Sequence, residues 1–388
     1  MKLLILYTKD RNEVFNRKSA IGSYIHCLSN ILQSEGYTVF LNGDSLDSIN
    51  KIETERLPTN AKKVIARFLP SFLKRALRDR MVLKNANNIA TELLDSEARY
   101  DAILEFYNLG SDVGVRLAKS QNIPLYIVYD GPIIEEYMFF NNGAKPIFLK
   151  EFTSREKTAL MESRKTVVYS NPMKSYVENI TGNASNLSLH QNVDFSRFDI
   201  LEGEKNSPSS IINICFIGSF LKWHQVDILV NTCCSLIKEG YSIELYLVGD
   251  GMEKASIEAE VNLLDESTKS KIHFTGFLDG TALYDLKKKM HVGIMPGSNW
   301  YGAPNKIFEY GAMNMAVIAP DTPTICDLFS NNEIVFFKWK NSESFKMALK
   351  ELISKPELIE KMALKLQHFV LDTYSAKETK KYYTNLLK

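Results

Sequence analysis

Short apolar stretches alternate with amphipathic helical stretches through this chain in two runs, and one polar break separates them. Nothing else constrains its fold as tightly. Residues 3–7 read as a buried strand. Residues 19–35 carry a helical pattern with Ile21, Ile25, Leu28, Ile31 and Leu32 on one side, Gly36 stops it, and residues 37–41 form the next strand. That is a βαβ unit, whose right-handed crossover requires a parallel sheet. The alternation continues with helices expected at 58–98, 111–120, 145–164 and 174–179, and strands at 101–106, 124–129, 166–170 and 187–190. The segment 201–210, LEGEKNSPSS, then breaks the pattern and reads as a linker. After it come strands at 212–217, 242–248, 272–275, 292–295 and 333–337, helices at 225–238, 252–264 and 281–290, and a helical region from 342 to the end. The expected class is α/β, with two Rossmann-like, doubly wound domains. A chain of 388 residues exceeds one ordinary core, which fits two domains.

Composition mainly excludes. A net charge of +1 provides no global field for nucleic acid. The five cysteines form no CxxC pair and no metal-ligand spacing, and an odd number argues against a disulfide framework. A reducing cytoplasm fits best. The N-terminal apolar run of five residues is too short for a signal peptide or a membrane span, and no other stretch approaches one. A soluble or membrane-peripheral protein is expected.

The chemistry concentrates in residues 299–324, NWYGAPNKIFEYGAMNMAVIAPDTPT. Gly302, Ala303 and Pro304 make a turn, and Pro304 suits the first position of the helix that follows. Asn305 and Lys306 share a helix face with Glu309. Val317, Ile318 and Ala319 form the next strand, closed by Pro320. A helix starting at the carboxyl end of a strand offers unpaired N–H groups and a positive dipole end, a ready phosphate site. A carboxylate on the same face can hold a sugar hydroxyl. The strands before it end in turns of the same kind: Gly218-Ser219-Phe220, Gly249-Asp250-Gly251, Gly276-Phe277 and Pro296-Gly297. In an open parallel sheet these turns lie on the rim where ligands bind.

These stretches resemble the retaining glycosyltransferases of family 4, of GT-B fold. The resemblance rests on FIGSFLKWHQVDILV (216–230), LYLVGDG (245–251), IHFTGFL (272–278), GIMPGS (293–298) and APNKIFEYGAMNMAVIAPD (303–321), with LHQNVDFSRF (189–198) and AIGSYIHCLSNILQSEGYTVFL (20–41) in the first half. It implies two Rossmann-like domains facing across a cleft. An acceptor-side domain of 1–198 would be joined by the C-terminal helix of about 375–388, and a linker of 199–210 would lead to a nucleotide-sugar domain of 211–374.

The resemblance also assigns roles. Glu309 would hold the ribose hydroxyls. Ala303, Pro304, Asn305 and Lys306, with Gly302 before them, would cradle the diphosphate. Gly218 and Ser219 would lie near the phosphates, and Lys222 and His224 would neutralise the leaving diphosphate. The backbone of Phe277 and Leu278 would meet the base, and Gly22 would belong to a first-domain loop near phosphate and acceptor. The family's first acid falls at Tyr301, eight residues before Glu309, so a hydroxyl replaces a charge next to the donor sugar. Ser298 or Asn299 is an alternative sugar contact. Gln225 stands where a glycine is common. No Asp-x-Asp motif occurs, so no metal is expected, and the nucleotide sugar is a substrate rather than a cofactor. Asp130, or Glu135 and Glu136 after it, would orient or deprotonate the acceptor hydroxyl.

Plainer readings stand beside these. Glu309 suits any helix first turn. Lys222 reads equally as a solvent-facing lysine, His224 as a packed core histidine, and Asp130 as the cap of the Gly131-Pro132 turn. Asn192 and Asp194 read as turn caps. A nucleotide-sugar epimerase, a phosphorylase and a binding protein on a decayed transferase fold are the rival functions.

Residues 62–80 carry seven cations against the single acid Asp79, with Val64, Ile65, Phe68, Leu69, Phe72, Leu73 and Leu77 as a helical stripe. One reading is a helix lying on anionic lipid. The other is a first-domain helix with the stripe in the core and a solvated basic face. Pro70 implies a kink or two short helices. The expected partners are thus a UDP- or GDP-linked sugar donor, a glycan or lipid-linked acceptor, and an anionic membrane surface reached through 62–80. Nucleic acid is not expected. The expected place is cytoplasmic, or peripheral on the inner face of the plasma membrane.

Overall fold

The structure, a computed structural model, describes residues 1–9, 14–15, 19–49, 70–190, 200–201 and 211–388. The chain divides into two compact units, Met1–Asp194 with Thr379–Lys388, and Phe195–Glu378.

The first unit carries β1 (Lys2–Tyr7), β2 (Thr38–Leu41), β3 (Asp44–Ser45), β4 (Ala102–Phe106), β5 (Leu125–Val128), β6 (Lys165–Val168) and β7 (Leu187–Leu189) in the spatial order β3-β2-β1-β4-β5-β6-β7. Only the β2–β3 pair is antiparallel. Every side chain of β4 and β5 is buried, so neither face of the sheet meets water at its centre. Parallel sheets require helices on both faces for that reason. They are α1 (Ala20–Ser34), α2 (Ser71–Asp95), α3 (Val113–Gln121), α4 (Ile133–Phe140), α5 (Leu149–Glu162) and α6 (Asn171–Thr181).

The second unit carries β8 (Ile212–Ile217), β9 (Ile243–Val248), β10 (Ile272–Gly276), β11 (Val292–Ile294), β12 (Ala316–Pro320) and β13 (Val335–Phe337), all parallel, in the order β10-β9-β8-β11-β12-β13. Its longer helices are α7 (Val226–Lys238), α8 (Lys254–Asn262), α9 (Gly280–Lys289), α10 (Asn305–Ala312), α11 (Pro323–Leu328), α12 (Ser342–Ile353) and α13 (Pro356–Thr373). The last helix, α14 (Ala376–Leu386), sends Tyr383 into the core of the first unit and stacks Tyr382 on His190 at 3.9 Å. In the second sheet the winding reverses at β8, between β9 and β11. Loops leaving the carboxyl ends of β8 and β11 therefore flank a crevice, the usual ligand position in such sheets.

Several expectations need correction. The 145–164 helix starts only at Leu149, and α4 and α11 were not expected at all. IIEEYMFF has no helical period to betray α4. Pro304 does not open α10; it sits just before Asn305, and the helix start has no side-chain cap. Within the linker, Leu201 is buried and its N–H donates to the Ala312 carbonyl at 3.1 Å, so it is anchored to the second unit. The rest of the 199–210 linker apart from Ile200, the 191–198 motif with Asn192 and Asp194, and residues 62–69 lie outside the described residues. In the part of the 62–80 stripe that is described, Phe72, Leu73 and Leu77 are exposed, so the buried-stripe reading fails there.

Candidate functional site

Three glycine turns at the carboxyl edge of the second sheet are hydrogen-bonded in series. Gly249 N–H donates to Gly276 O at 2.8 Å, Gly218 N–H to Val248 O at 2.9 Å and Phe220 N–H to Asp250 O at 2.9 Å. A Cβ on Gly249 would lie 2.1 Å from Gly218 O, and one on Gly251 would lie 2.6 Å from the Phe220 backbone. These contacts are backbone on backbone, so no side chain can move to relieve them. The Gly249-Asp250-Gly251 turn is therefore structural support for the Gly218 turn.

Gly218 has a different neighbour. A Cβ there would meet Lys306 Cε at 2.5 Å and Nζ at 2.9 Å. The missing side chain lets Lys306 reach from the first turn of α10 across to the end of β8. Its ammonium lies 5.6 Å from the Phe216 ring centroid and 3.2 Å from His224 Nε2. His224 Nδ1 lies 2.5 Å from Ser219 O. A carbonyl only accepts, so Nδ1 carries the proton and Nε2 is left to accept from Lys306. Burial first, and the Lys306 ammonium second, push the imidazole down to about 3, despite the Ser219 bond that favours its charged form. In this state His224 is neutral and supplies an acceptor rather than the positive charge expected of it. Burial also takes Lys306 down to about 8, opposed by Glu309. Among the described residues no carboxylate pairs with Lys306. The site thus holds a partly desolvated cation, at a helix start, beside a neutral ring.

Tyr310 fixes α10 in this position. Its ring is fully buried against β11, where a Cβ on Gly293 would lie 2.4 Å from it, and its hydroxyl accepts from Ile217 N–H at 2.9 Å. On the other side of α10, Gly311 lets Leu366 and Val370 of α13 approach. Sequence reasoning passed over Tyr310. The pairing of a strand glycine with an aromatic residue next to Glu309 was the available signal.

The loop before α10 is tied down as well. Trp339 Nε1 donates to Ser298 O at 3.0 Å, and a Cβ on Gly297 would lie 2.4 Å from Trp223 O. Asn299 Oδ1 is buried without a hydrogen-bond partner among the described residues. Tyr301, the replacement for the family acid, is only 7% exposed, with its ring edge-on to Trp300. Gln225 occupies the left-handed region, φ 51° and ψ 43°, which is the physical reason a glycine is common there.

Other expected residues are placed less closely. Glu309 is half-buried one helical turn after Lys306, while Asn305 is exposed. Gly302, Ala303 and Leu278 are partly exposed, Pro304 is buried, Ser219 and Lys222 are exposed, and Phe277 is 74% exposed on the rim. In the first unit, Gly22 is not in a loop. It lies in the first turn of α1, buried, and its N–H donates to the N-cap hydroxyl of Ser19 at 3.0 Å. Asp130 follows β5 and is exposed, and its backbone carbonyl accepts from Tyr169 OH. Desolvation by the surrounding protein, then the Glu136 carboxylate, raise its carboxyl to about 6.

Residues 212–355 match the family model of glycosyl transferases group 1. No curated protein matches the chain at a significant level. Among solved structures, the chain is similar to HepE of Anabaena in complex with UDP and glucose, with TM-score 0.70 and 13% identity over 100% of this chain and 99% of that one. Sucrose-phosphate synthase of Thermosynechococcus elongatus gives 0.73 and 14% over 100% and 98%. WaaG, a glycosyltransferase involved in lipopolysaccharide biosynthesis, gives 0.66 and 12% over 100% of both chains. The chain thus carries a group 1 glycosyltransferase domain across 212–355 and has the GT-B fold throughout.

Proposed function

We propose that the protein is a retaining, metal-independent member of glycosyltransferase family 4. It transfers a sugar from a UDP- or GDP-linked donor to a hydroxyl of a glycan or lipid-linked acceptor. The observation that carries this reading is Lys306, a desolvated ammonium at the uncapped start of α10, aimed at the Gly218 turn and partnered by a neutral imidazole. Such a site attracts an anion. A diphosphate would supply it, and the α10 dipole would add to the attraction. As the glycosidic bond breaks, charge grows on that diphosphate, so a fixed lysine and fixed N–H donors stabilise the transition state more than the ground state.

Glu309, on the face of α10 that carries Lys306, would hold the ribose hydroxyls, and Phe277 and Leu278 would border the base. Lys222 would close over the phosphates from the exposed turn after β8. Asp130, with a carboxyl near 6, is ionised at pH 7 and can take the acceptor proton. UDP bound to HepE makes UDP the first nucleotide to test, and the pathway of WaaG favours a cell-surface glycan as acceptor. The five cysteines, none of them in a disulfide, fit a reducing cytoplasm.

Calorimetry with UDP and GDP tests the site. Binding of one of them, lost in Glu309→Ala and Lys306→Met, is expected. If neither nucleotide binds, the transferase reading falls. A screen of nucleotide sugars for thermal stabilisation then identifies the donor, since a bound donor stabilises by mass action.

A further inference from the structure

His224 stands where a cation is expected, yet it is uncharged, and its contacts give it a different task. The ring belongs to a short 3-10 turn, Lys222–His224, which Gln225 closes in the left-handed region. The rings of Phe216 and Trp223 stand edge-on to it, with centroids 5.6 and 5.9 Å away. Nδ1–H donates to Ser219 O, which also accepts from Leu221 N–H at 2.9 Å. Both lone pairs of that carbonyl are then used, so it presents none to an incoming anion. The other nitrogen, Nε2, accepts from Lys306 Nζ at 3.2 Å, and the same ammonium lies 5.6 Å from the Phe216 centroid. His224 and Phe216 thus hold one lysine against the gap left by the missing side chain of Gly218.

A lysine is a point charge on a flexible stem, so it serves a bound diphosphate best where the stem is held. A neutral acceptor holds it; a second cation at 224 would repel it. Glu309 favours the charge of Lys306, while burial first and Lys306 second keep His224 neutral. Lys222, on the same turn as His224, is exposed. We propose that His224 is a positioning residue: its neutral ring, fixed by the Ser219 carbonyl, aims the Lys306 ammonium at the Gly218 turn, so that Lys306 and not His224 carries the charge a diphosphate meets there. This rests on the diphosphate reading of that turn, and it moves the expected leaving-group cation from the turn after β8 to α10.

The test is calorimetry of the full chain with UDP, or with GDP should the parent bind only that, between about pH 6.5 and 9.5, with thermal melts alongside. His224→Phe keeps a ring and loses both nitrogens. Its nucleotide affinity at pH 7 should fall roughly tenfold, and the pH above which affinity declines should drop about one unit below the parent's, because the acceptor that favours the charged lysine is gone. A merely structural role would not move that pH. His224→Gln, whose amide can donate to Ser219 O and accept from Lys306, should return the affinity to within about threefold and the pH to the parent's. His224→Lys should bind more weakly than the parent, whereas a residue that neutralises the leaving diphosphate would bind at least as well once it carried a charge. The proposal is overturned if His224→Phe leaves that pH unmoved, if His224→Gln is as weak as His224→Phe, or if His224→Lys matches or exceeds the parent. Should His224→Phe not fold, His224→Gln must still bind more tightly than His224→Lys, and the opposite order overturns the proposal. A parent that ignores both nucleotides removes the transferase reading itself; a parent that binds one, with variants that bind alike, removes this inference alone.

Discussion

Replacing Lys306 with methionine should stabilise the protein while removing its donor binding. Burial takes the ammonium from 10.5 down to about 8. At about 1.36 kcal/mol per pKa unit, keeping the charge there costs on the order of 3 kcal/mol at neutral pH. Lys306 retains some exposure, which screens part of that penalty, and its hydrogen bond to His224 offsets roughly 1 kcal/mol more. A net gain of about 1–2 kcal/mol remains for a methionine of similar length. The sign follows from linkage. The folded-state pKa lies below the unfolded one, so the penalty is complete below pH 8 and disappears as pH rises through 10.5. The gain should therefore be present at pH 7 and absent above pH 10.5. Urea unfolding followed by tryptophan fluorescence is the suitable assay, because all three tryptophans, Trp223, Trp300 and Trp339, lie in the second unit. Calorimetry with UDP supplies the functional half. A lower unfolding midpoint at pH 7, or undiminished UDP binding, would refute the reasoning: the lysine would then be a solvated or structural cation rather than one held ready for an anion.

Three further outcomes are expected. A bound diphosphate should lift Lys306 back towards 10.5, so UDP affinity should fall up to tenfold per pH unit above about 8; measured against Lys306→Arg, which stays charged and corrects for titration of the nucleotide, parallel curves would exclude this linkage. Gly249→Ala drives a Cβ onto the Gly218 carbonyl and should cost more than about 2 kcal/mol, whereas Gly218→Ala, strained at φ +152° but with its shortest contacts on the flexible end of Lys306, should cost less stability while losing UDP affinity, a contrast that thermal melts and calorimetry separate. Gln225→Gly relieves a left-handed glutamine and should raise stability by about 0.5–1 kcal/mol in urea unfolding.

Much of the framework was legible because parallel strands buried on both faces are written as largely apolar runs. β8, INICFI followed by Gly218, was bounded to the residue. Elements without such a signature were not. α4 has apolar residues at both ends and acids between them, and α11 is only six residues long behind a proline. In α2 the helical period itself was misleading. It marks residues that share a face, but it does not say which face meets the core. Leu73 and Leu77 share a side that points to water, while the buried side is held by Asp79, Ala86 and Leu93.

The site divides in the same way. Sequence by itself determined the alternation, the glycine turns at strand ends, and the helix start with Lys306 and Glu309, because these depend on local backbone geometry and spacing. Only the tertiary structure decided that Lys306 crosses to Gly218, that His224 is neutral, that Tyr301 is buried, and that Gly22 lies in a helix with its N–H taken. Those facts depend on which groups, distant along the chain, exclude water from one another. Lys306 and His224 stand 82 positions apart yet 3.2 Å from contact to contact, and the charge each carries is set by that proximity.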